Sequence, residues 1–591
     1  MEQKDLPQGD PTFKEIILNN QLYADKTEYI HEILKVSKCC FLSRPRRFGK
    51  TLLLDTISEL FQGDRELFKD LWIGSQSGYG FERHPVLMFN MAYAKISTPD
   101  DLAEKLERDL KDMGAEHDVS ITRDSYDEIL GQLLKGLEKK HGVGSVILVD
   151  EYDAPVTDHI SDRNLALACR NVLHDFYRSI KKNLRHVRFA FVTGITRFAV
   201  TAVDSGANNF IDISLDEKFA GICGFTLKEF GVLFENRFEA TLGKLKANGQ
   251  LPPDADVGAL KAKILEWYDG YNWLGTENVL NPYSIIRFFS KNILGSYWPL
   301  PGKPSLLSSL FRDKILDFSE PGLTVYPEQQ ITQSDLYGVA PVPVLFHSCY
   351  LTIDKAIDIP RLVNNISTLE RAYTFKIPNT EVGLDLKSVV FNDIFKLDNK
   401  YVSDLSENLP NALLQKNSKE VVRMLHNLLV SISYLQHPAA KQAEQPDAPA
   451  KRPDAEKIYH AILHASLLSA GFFILSEPSG GEGRPDITLF LRNEACVVIE
   501  LKYSYRRKTR KKAAGGTKED RKLAKRKAKE KELSTALDRA EEQIRRMDYA
   551  GPYRAARRET ICLAVAVRGR TQVDARFVDT DDANANGPTG P

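Results

Sequence analysis

Residues 485–502 read Pro485-Asp486-Ile487-Thr488-Leu489-Phe490-Leu491-Arg492-Asn493-Glu494-Ala495-Cys496-Val497-Val498-Ile499-Glu500-Leu501-Lys502. Thirteen residues separate Asp486 from Glu500, and Lys502 follows Glu500 by two. Side chains alternate faces along a strand, so Glu500 and Lys502 share one face while Ile499 and Leu501 share the other. The apolar run Ala495–Ile499 reads as a buried strand leading into this pair, and residues 486–491 read as a second strand. Pairing the two as a hairpin sets Asp486 beside Glu500. Two carboxylates and a lysine so arranged suit metal-dependent phosphodiester cleavage. The carboxylates bind a hard cation, and the lysine offsets negative charge developing on the phosphate.

A chain of 591 residues exceeds one hydrophobic core, and three domains is the expectation. Lysine plus arginine equals aspartate plus glutamate at 80 each, so nucleic-acid affinity must come from local patches. The seven cysteines form no CxxC pair and lie mostly in apolar runs. They read as buried thiols of a reducing compartment, not a disulfide frame or zinc site. The charged Met1-Glu2-Gln3-Lys4-Asp5 lacks the apolar core of a secretory signal, and no apolar run approaches the ~18 residues of a membrane span. The expectation is a soluble intracellular protein, cytoplasmic or nuclear, without membrane contact.

From residue 1 to 225, strand candidates Cys39–Ser43, Val86–Asn90, Ser145–Asp150 and Arg188–Gly194 alternate with helical patterns. That alternation predicts a parallel sheet covered by helices, an α/β domain. Residues 226–436 read as a mainly helical region with aromatic clusters, expected to act as a lid and relay. The Ala-, Pro- and Gln-rich stretch 437–453 reads as a linker. Residues 454–578 read as a last domain of order αβββαβ, and 579–591 as a disordered tail.

Residues 44–51, Arg44-Pro45-Arg46-Arg47-Phe48-Gly49-Lys50-Thr51, meet the phosphate-loop pattern GxxxxGK[ST] except at the first glycine, which is Arg44. A strand precedes the loop and an amphipathic helix follows. Backbone amides of Arg46, Arg47, Phe48 and Gly49 would cradle phosphates at the helix N-terminus. Lys50 would reach the outer phosphates, and the Thr51 hydroxyl would ligate Mg²⁺. The buried strand Val146–Val149 ends in Asp150 and Glu151. Asp150 would hold Mg²⁺ and Glu151 would polarise the attacking water, while Asp153 reads as structural. A further strand ends in Thr193, and Thr193 and Arg197 are candidate γ-phosphate sensors. ATP and Mg²⁺ are therefore the expected cofactors. A plain strand–turn–helix and a solvated acidic turn are the competing structural readings, weakened by the co-occurrence of both motifs.

The ordered set Tyr23-Ala24-Asp25-Lys26-Thr27, the loop 44–51, Val149-Asp150-Glu151-Tyr152-Asp153 and Tyr268-Asp269-Gly270-Tyr271 resembles the predicted AAA-ATPase-like family. Asn281-Pro282-Tyr283-Ser284, Tyr350-Leu351-Thr352-Ile353 and Pro378-Asn379-Thr380-Glu381-Val382 continue the series. Members of that family pair a divergent P-loop ATPase with a C-terminal PD-(D/E)XK nuclease-superfamily domain. The resemblance implies a P-loop NTPase αβα sandwich, a mainly helical middle and a restriction-endonuclease-like C-terminal domain. In this family Arg44 is the usual residue at its position. The C-terminal pieces are Glu456…Tyr459-His460, Glu477, Gly483-Arg484-Pro485-Asp486, Glu500-Leu501-Lys502 and Gln543…Tyr549.

In the chemistry this implies, Asp486 and Glu500 bind Mg²⁺, Glu456 completes the metal site, and Lys502 orients the attacking water. Gln543 contacts the metal-bound water or the phosphate backbone. His460 reads as a packed helix residue. The basic run Arg506-Arg507-Lys508 and its continuation through Arg521–Lys531 reads either as a phosphate-backbone contact or as a solvated, partly helical charge run. Two function classes follow. The first is an ATP-binding and ATP-hydrolysing module fused to a Mg²⁺-dependent nuclease acting on nucleic acid, DNA foremost. The alternative is a nucleotide-switched binding module, for nucleic acid or protein, whose nuclease-like fold does not cut. A homo-oligomer fits either.

Overall fold

The computed structural model describes residues 4–7, 9, 11–92, 96–160, 162–196, 209–274, 278–298, 325–332, 342, 345–346, 348–363, 366–389, 399–431, 455–469, 473–476, 485–491, 495–504, 518–549, 559–569 and 572–579. The predicted linker and all but the first residue of the tail lie outside them, as do Arg197, Glu477, Gly483, Arg484, Arg506, Arg507 and Lys508. The described residues up to Asp385 belong to one compact unit and those from Leu386 onward to another.

The first unit is built on strands β1 (Cys39–Ser43), β2 (Val86–Asn90), β3 (Ser145–Asp150), β4 (Val187–Gly194) and β5 (Ile211–Asp212). Their spatial order is β2-β3-β4-β1-β5, and every pairing is parallel. β1 and β3 are buried along their whole length, as their near-continuous apolar runs require in a sheet covered on both faces. Five helices matter here: α1 (Thr27–Val36), α2 (Lys50–Gln62), α3 (Pro99–Glu116), α4 (Tyr126–His141) and α5 (Arg163–Lys182). α2 buries Leu53, Leu54, Ile57, Leu60 and Phe61 at helical spacing. α3 opens on a capping box in which Thr98 and Asp101 bond each other's backbone, with Pro99 at the first position.

Helices α6 (Leu227–Leu233), α7 (Phe238–Ala247), α8 (Val257–Tyr268) and α9 (Pro282–Lys291) bury a second core rich in phenylalanine: Phe230, Phe234, Phe238, Phe288 and Phe289. Two short strands, β6 (Phe225–Thr226) and β7 (Val279–Leu280), pair antiparallel beside it. Helices dominate this stretch, as expected, but it also holds a long antiparallel hairpin. Its strands are β9 (Thr352–Val363) and β10 (Ile366–Lys376), with β8 (Tyr326–Pro327) on the edge of β10. Helix α10 (Thr380–Val389) follows.

The second unit contains α11 (Asn399–Leu414), α12 (Ser418–Ser431) and α13 (Ala455–Ser469). Its sheet has the order β11 (Phe473–Ser476), β12 (Ile487–Phe490), β13 (Cys496–Ser504), β14 (Thr560–Arg568), β15 (Gln572–Val578). β12 pairs antiparallel with both β11 and β13, so the predicted hairpin forms. β13 and β14 are parallel, joined through α14 (Lys518–Met547). The order is αβββαββ, one strand longer than expected. Strand β15 pairs antiparallel with β14 and was hidden by Asp574 and Arg576, which interrupt its apolar pattern. α14 begins 15 residues before the expected Leu533, because its first half carries no periodic apolar residues to announce it. No helix among the described residues is long and apolar enough to cross a membrane, and all seven cysteines are buried free thiols.

Candidate active sites

In the first unit, β4 lies between the P-loop strand β1 and the acidic strand β3. That topology brings three predicted residues together. The Thr51 hydroxyl donates to Asp150 Oδ2 at 2.6 Å, and the Thr193 hydroxyl donates to Asp150 Oδ1 at 2.7 Å. The Glu151 amide also donates to Asp150 Oδ1, at 3.0 Å. Asp150 is wholly buried and thus fixed by the helix, the neighbouring strand and its own turn.

The loop between β1 and α2 takes left-handed backbone at Arg47 (φ 68°) and Gly49 (φ 89°). Left-handed residues in such a loop help turn backbone amides inward, as in an anion-binding nest. Lys50 is buried, and its ammonium donates to the Arg44 and Pro45 carbonyls at 3.0 and 2.8 Å. Glu151 also has left-handed backbone, φ 48°, uncommon for a non-glycine residue and typical of a constrained functional turn. Burial pushes its carboxyl up, helped by the Asp150 charge and opposed by Lys50 and Arg46.

The remaining loop residues tie several of the sequence pieces together. Arg44 is buried with its guanidinium donating to the Ser43, Ser214 and Phe219 carbonyls at 2.8–3.0 Å and lying 4.4 Å from the Trp273 ring centre. It braces the loop from behind, where a glycine could not. Phe48 is also buried, edge-on to Tyr271 and Trp273, so its side chain faces the helical region while its amide stays in the loop. Arg47 stacks 4.1 Å above Tyr283, which belongs to the first turn of α9. Asn272 exchanges hydrogen bonds with Thr352, the first residue of β9. Gly270, at φ 104°, passes so close to Pro378 that a Cβ would stand 2.0 Å from its carbonyl oxygen. Asp153 is structural, as read: it accepts from the Ile195 and Thr196 amides and the Thr196 hydroxyl, tying the β3 turn to the end of β4. Lys26 pairs with Glu229 at 2.7 Å and donates to the Gly221 carbonyl, while Asp25 accepts from the Trp72 amide, so both hold local structure.

In the second unit the β12–β13 hairpin brings Asp486 to β13, where Asp486 Oδ2 accepts from the Leu501 amide at 2.7 Å. Lys502 donates to Glu500 Oε1 at 2.7 Å and to Glu456 Oε1 at 3.3 Å. Glu456 Oε2 accepts from the Tyr503 amide at 3.0 Å. Glu456, read as a third metal ligand, is therefore bonded to the lysine and to β13. Among the described residues no three His, Cys, Asp or Glu side chains gather into a ready-made cation cage. The Glu500 side chain is fully buried, and its Oε2 has no hydrogen-bond partner among the described residues. Burial pushes its carboxyl up to about 7; the Asp486 charge adds to the rise and Lys502 opposes it. Burial alone would depress the Lys502 ammonium, but the Glu500 carboxylate outweighs it and holds the lysine above its ordinary value.

His460 is a packing residue whose Nε2 lies 2.7 Å from the Asp486 carbonyl, setting the start of β12. Gln543 donates to the Tyr549 hydroxyl at 2.9 Å. Burial raises the Tyr549 hydroxyl, the Gln543 bond opposes this, and the charges of Glu500 and Asp486 raise it further. Tyr549 thus stands in the electrostatic field of the carboxylates, a role the sequence alone did not assign.

The parallel sheet with its phosphate loop and acidic strand defines a P-loop NTPase-like unit, and the mixed β-rich sheet carrying Asp486, Glu500 and Lys502 defines a PD-(D/E)XK-like one. Comparison with known proteins agrees. The family described as Predicted AAA-ATPase matches residues 7–204, and the PD-(D/E)XK nuclease superfamily matches residues 454–576. A protein of Azotobacter chroococcum mcd 1, described as an uncharacterized protein in vnfD 5'region, is 30% identical over 509 residues, spanning 85% of this chain and 90% of that protein. The chain belongs to this family, with an N-terminal AAA-ATPase-like domain and a C-terminal PD-(D/E)XK nuclease-superfamily domain. These assignments point to ATP binding and nuclease-like activity.

Proposed function

We propose that the chain is an ATP-hydrolysing protein fused to a Mg²⁺-dependent nuclease that cuts nucleic-acid phosphodiesters. The observation that carries the nuclease half is Glu500 Oε2. A fully buried carboxylate oxygen without a partner among the described residues is costly unless a cation completes it. The donor set is all oxygen, which suits Mg²⁺: Asp486, Glu500 and the Leu501 carbonyl would hold it. Bound there, the ion would supply the positive charge that activates water and relieves the phosphate. Lys502, held by Glu500 and Glu456, would orient the nucleophile and face the developing negative charge. Glu456 would position the lysine, and Gln543 would position Tyr549.

In the ATPase half, the amides of 46–50 would receive the phosphates. Lys50 would leave the Arg44 and Pro45 carbonyls for the outer phosphates. Thr51 and Asp150 would hold the nucleotide's Mg²⁺, Thr193 would report on the γ-phosphate through Asp150, and Glu151 would orient the water. The Thr51–Asp150 hydrogen bond and the buried Thr193–Asp150 hydrogen bond support this assignment. The test uses the full chain with ATP and with DNA in Mg²⁺. ATP hydrolysis should be lost in Lys50→Ala, and DNA cleavage should be lost in Glu500→Ala without loss of binding. Cleavage that persists in Glu500→Ala would refute the site. An intact wild type that binds but never cuts DNA or RNA would favour the non-cleaving module.

A further inference from the structure

Helix α14 is two helices in one. From Leu533 onward it packs on the sheet through Leu533, Ala536, Leu537, Ala540 and Ile544, against Cys496 and Val498 of β13 and Cys562, Ala564 and Ala566 of β14. Its first 14 residues, 518–531, carry eight basic and three acidic residues and no aromatic one. Where side chains are described in this half, Leu523, Ala524 and residues 526–531, all are exposed. These described side chains do not serve the core.

Its phase is not random. Basic residues stand at 518, 521, 522, 525, 526 and 529, the three- and four-residue spacing of one helical face. At 100° per residue, that face is the continuation of the face that carries Leu533, Ala536, Leu537, Ala540 and Ile544. The register stays, but the chemistry changes from apolar to cationic where the sheet ends. The end of the sheet is marked by two bonds: the Ser504 hydroxyl donates to the Glu532 carbonyl at 3.1 Å, and Arg568 pairs with Glu532 at 2.7 Å. Along β13, Cys496, Val498, Glu500 and Lys502 share the face that α14 covers. The helical segment 518–531 therefore runs on past the carboxyl end of β13 on the side of Glu500 and Lys502. That 14-residue segment begins about 7 Å beyond Lys502, two strand residues away, and runs for about 21 Å.

We propose that residues 518–531 form a phosphate-binding arm that guides a nucleic-acid backbone into the Asp486–Glu500–Lys502 site. The proposal rests on the nuclease reading of that site for its direction, not for its chemistry. Contact is with phosphates alone, since the arm offers no ring for base stacking, so binding is insensitive to sequence and steeply dependent on salt.

The test measures affinity of the full chain for labelled duplex DNA, duplex RNA and single-stranded DNA in EDTA across a salt series. One variant neutralises the stripe (Lys522→Gln, Lys525→Gln, Arg526→Gln, Lys529→Gln). A second removes two lysines outside it (Lys527→Gln, Lys531→Gln). On a duplex, the stripe variant should lose about 3–4 from the log–log salt slope, and the off-stripe variant should lose little. Hydrolysis of the small diester bis(p-nitrophenyl) phosphate in Mg²⁺ should be unchanged in both, showing that the fold and metal site survive. The three polymers identify which backbone the arm prefers. An unchanged slope in the stripe variant, equal loss per charge in both variants, or no polymer binding by the wild type would each overturn the arm. A wild type that never cleaves yet shows the stripe-specific slope would overturn the nuclease reading and leave the arm standing.

Discussion

At the scale of single residues, the phosphate loop is defined by where its side chains go. Arg44 was legible in the sequence as a departure from the glycine of the general pattern. Its reason was not, because the carbonyls of Ser214 and Phe219 lie 170 and 175 residues away. Arg44→Gly, which restores the general pattern, should therefore lower stability by about 2–4 kcal/mol through lost charge-assisted bonds and a vacated stacking site. The check is a denaturant titration; a variant as stable as wild type with tighter ATP binding would refute the brace. Glu151→Gln keeps shape but removes the proposed base, so ATP should still bind while hydrolysis falls about 10²-fold or more. Equal loss of binding and hydrolysis would instead mark Glu151 as a structural residue. Asp486, Glu500 and Lys502 were readable as candidates from spacing, and the observed pairing of Ile487 with Ile499 brings the start of β12 beside Glu500. Glu456 was readable as a candidate, but its engagement with Lys502 and the Tyr503 amide depends on how α13 meets β13.

At the scale of elements, strands β1, β3, β13 and β14 were plain because each carries a continuous buried apolar run. The hairpin β9–β10 was not. Residues 354–358 of β9 are all exposed and include Asp354, Lys355 and Asp358, so no alternation marks the strand. α10 supplies a further test. Its Glu381 is buried and accepts from the Ser284 hydroxyl and the Tyr297 and Trp298 amides, anchoring the residues that follow α9. Burial pushes its carboxyl from an ordinary 4.5 to about 7, the hydrogen bonds opposing the rise. The folded state therefore binds more protons than the unfolded state between those values, and stability falls as pH rises through that window. The slope should be at most about 1.4 kcal/mol per pH unit, flattening above the folded value. Glu381→Gln should remove this contribution; an identical pH–stability curve in the variant would show that the carboxyl does not titrate there.

At the scale of the whole molecule, two compact units carry two family domains on one chain. In the first, the phosphate loop reaches the aromatic loop at Tyr271–Trp273 and, through Asn272 and Thr352, the root of the hairpin. Nucleotide binding should therefore stabilise that unit. At 100 times the dissociation constant, Mg²⁺–ATP should add about 2.7 kcal/mol, read as a rise in its unfolding midpoint that Lys50→Ala abolishes. An equal rise in the variant would place the nucleotide elsewhere. The central claim, that the chain cuts nucleic acid at Glu500 and Lys502, is tested most directly by plasmid cleavage in Mg²⁺, with and without ATP, by wild type and Lys502→Ala. The account predicts nicked or linear product from wild type and none from Lys502→Ala, and the ATP arm shows whether the nucleotide alters the rate. Product of equal yield from Lys502→Ala would contradict it.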